Sequence, residues 1–460
     1  MGAPQERSIL HELQSFAQSV AAKASGFADD VEVLVTRQDL VSFALENRTL
    51  APELKLGRLQ VGLRALKGGR LAVAATTSFS VDENVSALKA ALPAARPARL
   101  TEFSAHRLEP STRAFDEGVA RLLREPKALQ ALAVEVRDRA FAAAQGLPHV
   151  DSIEGRVAAR TRWTALATRR GTGAALEALA SVTVEANAAR AEREVLRFWP
   201  ADDAFVRDVG ARAVRSLPVR IVAPEELGLL PAAPVAALVD PEVVEALLRY
   251  PAHDQFLASS LAAGLAAYQP GQLIADERVR LVDTGRPAEL ARDFDDELVP
   301  HGETVLLDHG RFGAFVTSRT SALQTSLAET GNGVRHPLLA EEPSEAPVRD
   351  TLLGLAIDPG ARGVAELLRA AELVLVPRAL LGIHGADRAR TAFSATVADG
   401  VAVRNGEVVG RLAPGRWNVS GRVLPGDGEP GLLQQAEPSL ERVYTGSALL
   451  PHLLVTLTVS

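Results

Sequence analysis

Runs of alternating apolar and polar residues, each closed by a glycine-bearing turn, recur through much of the chain, and a polypeptide patterned this way must build sheets. Val31, Val33 and Val35 form one such run. Leu59, Val61, Leu63 and Ala65 form another, followed across Gly68-Gly69 by Leu71 and Val73, which predicts a hairpin. The sharpest local signal is Asn405-Gly406, set between Val401, Val403 and Val408, Val409. Asn-Gly supplies the two positive φ values that a type I′ turn demands, so a tight hairpin is expected there. Asp308-His309-Gly310 and Thr330-Gly331-Asn332-Gly333 mark further turns.

Helical periodicity interrupts the strands. Ile9, Leu10, Leu13, Phe16, Ala17, Val20 and Ala24 share one face behind a candidate cap at Ser8, and Gly26 ends the pattern. A second helix is expected around Val85, Leu88 and Leu92. A long one carries Leu129, Leu132, Val136 and Phe141 and ends near Gly146-Leu147-Pro148. Residues 156–167 and 176–188 then read as strands. Pro93, Pro97 and Pro110 punctuate a polar stretch that reads as a linker, and a Pro-rich passage over residues 217–234 marks a second boundary. At 460 residues the chain exceeds one ordinary hydrophobic core. The expected division is residues 1–113, a middle segment 114–216 completing the N-terminal region, and a β-rich C-terminal domain over 217–460.

Aromatic residues make up only 4% of a chain that is 47% hydrophobic, so Ala, Leu and Val must do most of the packing. Lys and Arg total 50 against 57 acidic residues, a formal charge of −7 that gives no global attraction to phosphate backbones. Arg156, Arg160 and Arg162, or Arg169 and Arg170, are interspersed with alanine and valine rather than aromatics and read as a solvated face; no direct nucleic-acid binding is expected. The absence of cysteine removes disulfides, thiolate nucleophiles and Cys-ligated metal. With no secretion-signal pattern at residues 1–8 and no apolar run long enough to span a bilayer, a soluble cytoplasmic protein without membrane partners is expected.

The titratable residues do not assemble into a known catalytic pattern. His11-Glu12 opens like a zincin motif, but position 15 is Ser. The densest polar window holds Asp293, Asp295, Asp296, Glu297, His301, Glu303, Asp308 and His309, which is either a divalent-ion site or a solvated acidic loop. No Gly-x-Ser-x-Gly occurs, and neither Ser259-Ser260 nor Ser447 has an identifiable base. Gly171-Thr172-Gly173 reads as a turn, and Asp387-Arg388 beside His384 as a structural loop.

Several segments resemble the TldD/PmbA family, also described as modulators of DNA gyrase, and they fall in the family's order. Gly62-Leu63-Arg64-Ala65 followed by Gly69-Arg70 is similar to its N-terminal strand and glycine turn, and residues 232–242 to the start of its C-terminal domain. Phe294-Asp295-Asp296-Glu297 with Val299 resembles Phe-Asp-Asp-Glu-Gly-Val, with Leu298 in place of glycine. Thr330-Gly331-Asn332 with Arg335 resembles Thr-Gly-Asn-x-x-Arg. Phe393-Ser394, Gly400 and Asn405-Gly406-Glu407 resemble a Phe-Ser segment and the hairpin after it, and residues 446–451 a Gly-Ser-x-Leu-x-Pro close of the PmbA side. The catalytic branch carries His-Glu-x-x-x-His on a helix, whereas this chain has Arg249-Tyr250-Pro251-Ala252-His253-Asp254 after Leu247-Leu248.

The resemblance implies an α+β fold: an N-terminal antiparallel sheet with helices, then a mainly antiparallel β domain. It also implies a TldE-like, non-catalytic subunit that binds no cofactor of its own. Its partner would be a TldD-like subunit holding zinc or iron, and the pair would cleave unfolded or leader peptides. Phe294, Asp295, Asp296, Glu297, Thr330, Gly331, Asn332, Arg335, Phe393, Ser394, Asn405 and Gly406 are the motif positions to which a structural or substrate role carries over. Two alternatives stand beside this: an independent metal-dependent hydrolase using the residues between Asp293 and His309, and a peptide-binding homodimer without catalysis.

Overall fold

A computed structural model of the chain describes residues 4–112, 115, 117–145, 150–188, 220–230, 232–285, 293–335, 347–413, 415–445 and 448–459. The expected boundaries at 113/114 and 216/217, the helix stop at Gly146-Leu147-Pro148, and Gly446-Ser447 lie outside them.

The alternating N-terminal segments become strands β1 (Asp30–Glu46), β2 (Thr49–Lys67), β3 (Arg70–Thr76), β4 (Arg96–Pro97), β5 (Val150–Thr168) and β6 (Thr172–Ala188). They form one antiparallel sheet in the order β4-β3-β2-β1-β5-β6. Gly68 and Gly69 close the β2–β3 hairpin at φ 54° and 69°, as the glycine pair predicts. Four helices, α1 (Pro4–Ala24), α2 (Val81–Ala91), α3 (Glu117–Arg124) and α4 (Pro126–Ala144), pack against this sheet. With few aromatics available, fully buried alanines such as Ala17, Ala24, Ala133 and Ala140 let these helices lie close to the strands. Ser80 caps α2 by accepting from the Glu83 N–H. Ser8, expected as the first cap, lies inside α1 instead, because the helix already begins at Pro4, a residue suited to a helix start.

The presumed linker is not a free tether. Leu100, Phe103 and Ser104 are buried, the Leu108 and Ser111 N–H groups donate to the Thr172 and Ala174 carbonyls, and the segment runs beside β6. Its backbone is held by these bonds while polar side chains such as Glu102, His106, Arg107 and Glu109 remain exposed.

Beyond residue 220 the strands are β7 (Ile221–Val222), β8 (Ala233–Val239), β9 (Leu281–Asp283), β10 (Thr304–Asp308), β11 (Arg311–Phe312), β12 (Gly333–Arg335), β13 (Val348–Asp350), β14 (Leu355–Ile357), β15 (Leu373–Leu381), β16 (Ala392–Arg404), β17 (Glu407–Leu412), β18 (Asn418–Arg422), β19 (Glu437–Tyr444) and β20 (Ala448–Val459). All but β12 and β13 join a 12-stranded sheet with the main path β11-β10-β9-β14-β20-β8-β15-β16-β17-β7. Most pairs are antiparallel; β14–β20, β15–β8 and β17–β7 are parallel. Helix α5 (Pro241–Arg249) starts at an Asp240 cap and packs its apolar stripe into the core, where Trp417, Phe256 and Phe312 are buried. The protein is thus α+β, with an N-terminal antiparallel sheet and a strand-rich C-terminal domain. No described helix is long and apolar enough to cross a membrane.

Candidate functional site

The motif residues at 294–297 and 330–335 converge where the C-terminal domain meets the N-terminal sheet. Asp295 folds the acidic run into a tight turn: its Oδ1 accepts from the Glu297 and Val299 N–H groups, both at 2.9 Å. Its Oδ2 accepts from Gly333 N–H at 2.7 Å, and Asp296 Oδ2 accepts from Arg335 N–H at 2.7 Å. The acidic segment and the Thr-Gly-Asn segment are therefore stitched edge to edge. Gly333 is required for that approach, since a Cβ there would lie 2.5 Å from Glu297 Oε2 and 3.0 Å from Asp295 Oδ2. Asn332 extends the lattice, donating to Asp283 Oδ2 at 3.1 Å and the Thr351 carbonyl at 3.0 Å while accepting from Thr330 Oγ1 at 2.7 Å. Gly331, at φ 76°, supplies the turn between them.

Two arginines tie this lattice to the N-terminal sheet. Arg64 Nη2 on β2 donates to Glu32 Oε2 on β1 at 2.9 Å and to Glu297 Oε1 at 3.0 Å. Arg335 Nη2 donates to Glu32 Oε1 at 2.5 Å, and Glu297 Oε2 accepts from the Arg319 N–H at 2.8 Å. The Arg64 guanidinium also lies over the Phe103 ring, 5.0 Å from its centroid. Glu32, Asp295 and Glu297 are fully buried. Burial, reinforced by the neighbouring Glu297 charge, pushes the Asp295 pKa well above the usual carboxylate range. Burial raises Glu297 as well, against the pull of Arg64. For Arg335 burial lowers the pKa; for Arg64 burial is outweighed by Glu32 and Glu297, and its pKa rises.

Leu298, where the motif it resembles has glycine, takes a left-handed backbone that favours glycine, at φ 60°. Its buried side chain packs with Leu34, Leu166, Ala175 and Phe294. The floor of that contact is Gly171 and Gly173, where a Cβ would sit 2.8 Å and 2.6 Å from the Leu298 methyls. The Gly171-Thr172-Gly173 turn is thus a receptor for a side chain from the other domain. Ser104 Oγ donates to the Leu298 carbonyl at 3.0 Å, and Ser111 Oγ to Asp293 Oδ2 at 2.8 Å.

Neither expectation for the acidic window holds. Asp295, Asp296 and Glu297 are buried and bonded rather than solvated, and the oxygens a metal would need are taken up by arginines and backbone N–H groups. The remainder disperses: Glu303 pairs with Arg280 at 3.1 Å, and Asp308 and His309 lie exposed at the β10–β11 turn. Among the described residues no group of three or more His, Cys, Asp or Glu side chains is placed to hold a metal ion. His253 follows Pro251 beyond the end of α5, with its ring nitrogens 2.9 Å from Asp254 Oδ1 and 3.0 Å from Thr351 Oγ1. His11 and Glu12 are exposed on α1. Phe393 is in the C-terminal core, Ser394 is exposed beside it on β16, and Asn405-Gly406 forms the β16–β17 turn, so these four lie apart from the junction. Sequence reasoning missed Glu32, Arg64 as an ion partner, and Arg319. The available signal was Glu32 between Val31 and Val33, with Arg64 placed likewise in the adjoining hairpin.

Residues 233–426 match the family model described as PmbA/TldA metallopeptidase C-terminal domain. TldE from Thermococcus kodakarensis superposes with a TM-score of 0.75 at 18% identity, over 96% of this chain and 99% of that one. A Thermotoga maritima protein described as a modulator of a DNA gyrase gives 0.76 at 17% identity, over 97% and 100%. A similarly described Bacteroides thetaiotaomicron protein gives 0.73 at 15%, over 97% and 98%. No curated protein matches the chain.

Proposed function

We propose, for a chain that belongs to the TldD/PmbA family by its C-terminal domain, the role of a TldE-like subunit that completes and closes a peptidase whose metal centre lies in a TldD-like partner. The observation that carries this reading is the state of the acidic run and of His253. The Asp295 carboxylate is consumed by backbone N–H groups within the C-terminal domain, Glu297 by Arg64 of the N-terminal sheet and the Arg319 N–H, and His253, beyond Pro251, is bonded to Asp254 and Thr351 with no second histidine beside it in the sequence. Amide hydrolysis needs an activated water or nucleophile and a stabilised oxyanion, and these groups are already engaged. Similarity to TldE over nearly the full length of both chains supports the same branch. In this reading the N-terminal region spans residues 1–216, the C-terminal domain 217–460, and the complex is cytoplasmic and acts on unfolded or leader peptides.

The test is cleavage of an unstructured peptide by each subunit alone, by both together, and by both with the partner's metal-binding histidines replaced. Activity is expected only from the intact pair, and this chain alone should retain well under one equivalent of zinc or iron by elemental analysis. Cleavage by this chain alone, or cleavage that survives loss of the partner's histidines, would favour an independent hydrolase instead.

A further inference from the structure

Asn-Gly, the step that turns the chain between β16 and β17, occurs twice in the sequence, at Asn332-Gly333 and at Asn405-Gly406. It is a dipeptide at which a chain readily attacks itself. The nitrogen of the second residue can reach the carboxamide carbon of the asparagine, and glycine puts no Cβ in the way. The fold treats the two steps in opposite ways. At Asn332 every group such an attack requires is engaged: Nδ2 donates to Asp283 and to the Thr351 carbonyl, Oδ1 accepts from Thr330, and the Gly333 N–H donates to Asp295 Oδ2. Asn332 is also only 1% exposed, which keeps water away.

Asn405 stands exposed at its turn, and among the described residues neither its carboxamide nor the Gly406 N–H has a hydrogen-bond partner. The turn itself is held by the Arg404–Glu407 pair and by the Asn405 N–H, which donates to the Glu372 carbonyl at 2.9 Å. Ring closure requires Asn405 to leave its left-handed backbone, and the exposed end of a hairpin opens at little cost. One further group is placed to help. Arg369 lies across Gly406, its Cγ and Nε 2.8 Å and 2.9 Å from the point a Cβ would occupy. Its positive charge beside the Gly406 nitrogen favours loss of the N–H proton.

We propose that Asn405 is a site of spontaneous deamidation, with water as the co-reactant and Arg369 as the group that promotes it. The Gly406 nitrogen gives up its proton to solvent and bonds to Asn405 Cγ; the Cγ–Nδ2 bond breaks, and the nitrogen leaves as ammonia with a proton from water. Water then opens the cyclic imide. Cleavage at Cγ leaves aspartate, and cleavage at the main-chain carbonyl leaves isoaspartate, whose chain runs through the side chain. Nothing is oxidised or reduced. Either product puts a carboxylate beside Arg369, and isoaspartate adds a methylene to a turn with room for two residues. This chemistry stands apart from the subunit reading, since it uses only this chain and water.

The experiment stores the full chain in mildly alkaline buffer and follows each asparagine by mass spectrometry after peptic digestion in acid, where new deamidation is slow. In the folded chain Asn405 should convert about 100-fold faster than Asn332 or more, because the latter must first break the bonds that hold it. In urea the two steps lose their different surroundings and should react within about threefold of each other. Asn405→Gln, which would have to close a larger ring, should stay intact. Arg369→Gln, an exposed substitution that the fold tolerates, should slow the reaction about twofold or more. The proposal is overturned if the folded chain keeps its Asn405 amide as long as its Asn332 amide, or if Arg369→Gln reacts at the wild-type rate.

Discussion

The N-terminal sheet and the C-terminal sheet are built from the same alternating pattern by opposite routes. In the first, β1 with β2, β2 with β3, β3 with β4 and β5 with β6 are pairs of consecutive strands, so most of its width is hairpin. In the second, the last strand β20 lies beside β8, β14, β18 and β19, and Val459 pairs with Ala233 at the other end of the domain. Local pairing lowers the entropy of closure, whereas the C-terminal sheet is complete only when distant segments meet. What couples the two is the buried lattice of Glu32, Arg64, Glu297 and Arg335, so the sheet with the more distant pairings is braced against the one with the more local.

Cutting that brace is the strongest way to break the comparison. Arg335→Met leaves buried acids short of a cation and should destabilise by about 3–5 kcal/mol. Calorimetry is expected to show the single transition splitting, with the sheets unfolding separately. One unchanged transition would mean that the sheets do not depend on each other through this lattice.

Gly171→Ala tests the apolar half of the junction. The new Cβ would sit 2.5 Å from the His106 carbonyl oxygen and 2.8 Å from a Leu298 methyl, so a loss of about 1–3 kcal/mol is expected by thermal melting. A wild-type Tm would show that the Leu298 contact has room to move. Gly406→Val is the local counterpart within the C-terminal sheet. Gly406 has φ 86°, which a β-branched residue resists, and the expected cost is about 1 kcal/mol or more in urea unfolding, with the junction unaffected.

The smallest effect is pH. The folded-state pKa values of Asp295 and Glu297 are raised, so between the ordinary carboxylate pKa and the raised one the folded state holds more protons than the unfolded. Their contribution to stability is present below the ordinary value and declines as pH rises through that window. Hydrogen exchange at the Glu297, Val299 and Gly333 amides, corrected for intrinsic rates, should show the junction opening more easily from pH 5 to pH 8. Greater protection at the higher pH would reverse the assigned direction.

How much of this was legible follows the range of the forces involved. The Asn405-Gly406 turn, at φ 53° and 86°, and the Gly68-Gly69 turn are set by sterics within one or two residues, and the sequence states them outright. The helix carrying Val85 and Leu88, and the alternation of β1 and β2, are likewise local. The similarity of residues 294–297 and 330–335 to a family was visible as strings of letters, but not that the two strings bond to each other. Nor could the sequence say that Asp295 and Glu297 are buried rather than solvated. A carboxylate's environment depends on what the chain brings to it, and the Arg64 that meets Glu297 is 233 positions away. The sequence by itself determined the turns, the helix faces and the alternation, because those depend on dihedral preference and periodicity. Only the tertiary structure decided which charges are paired, that Leu298 fills the space two glycines leave, and that one Asn-Gly step is sealed while the other stands open, because desolvation and pairing are properties of places the folded chain creates.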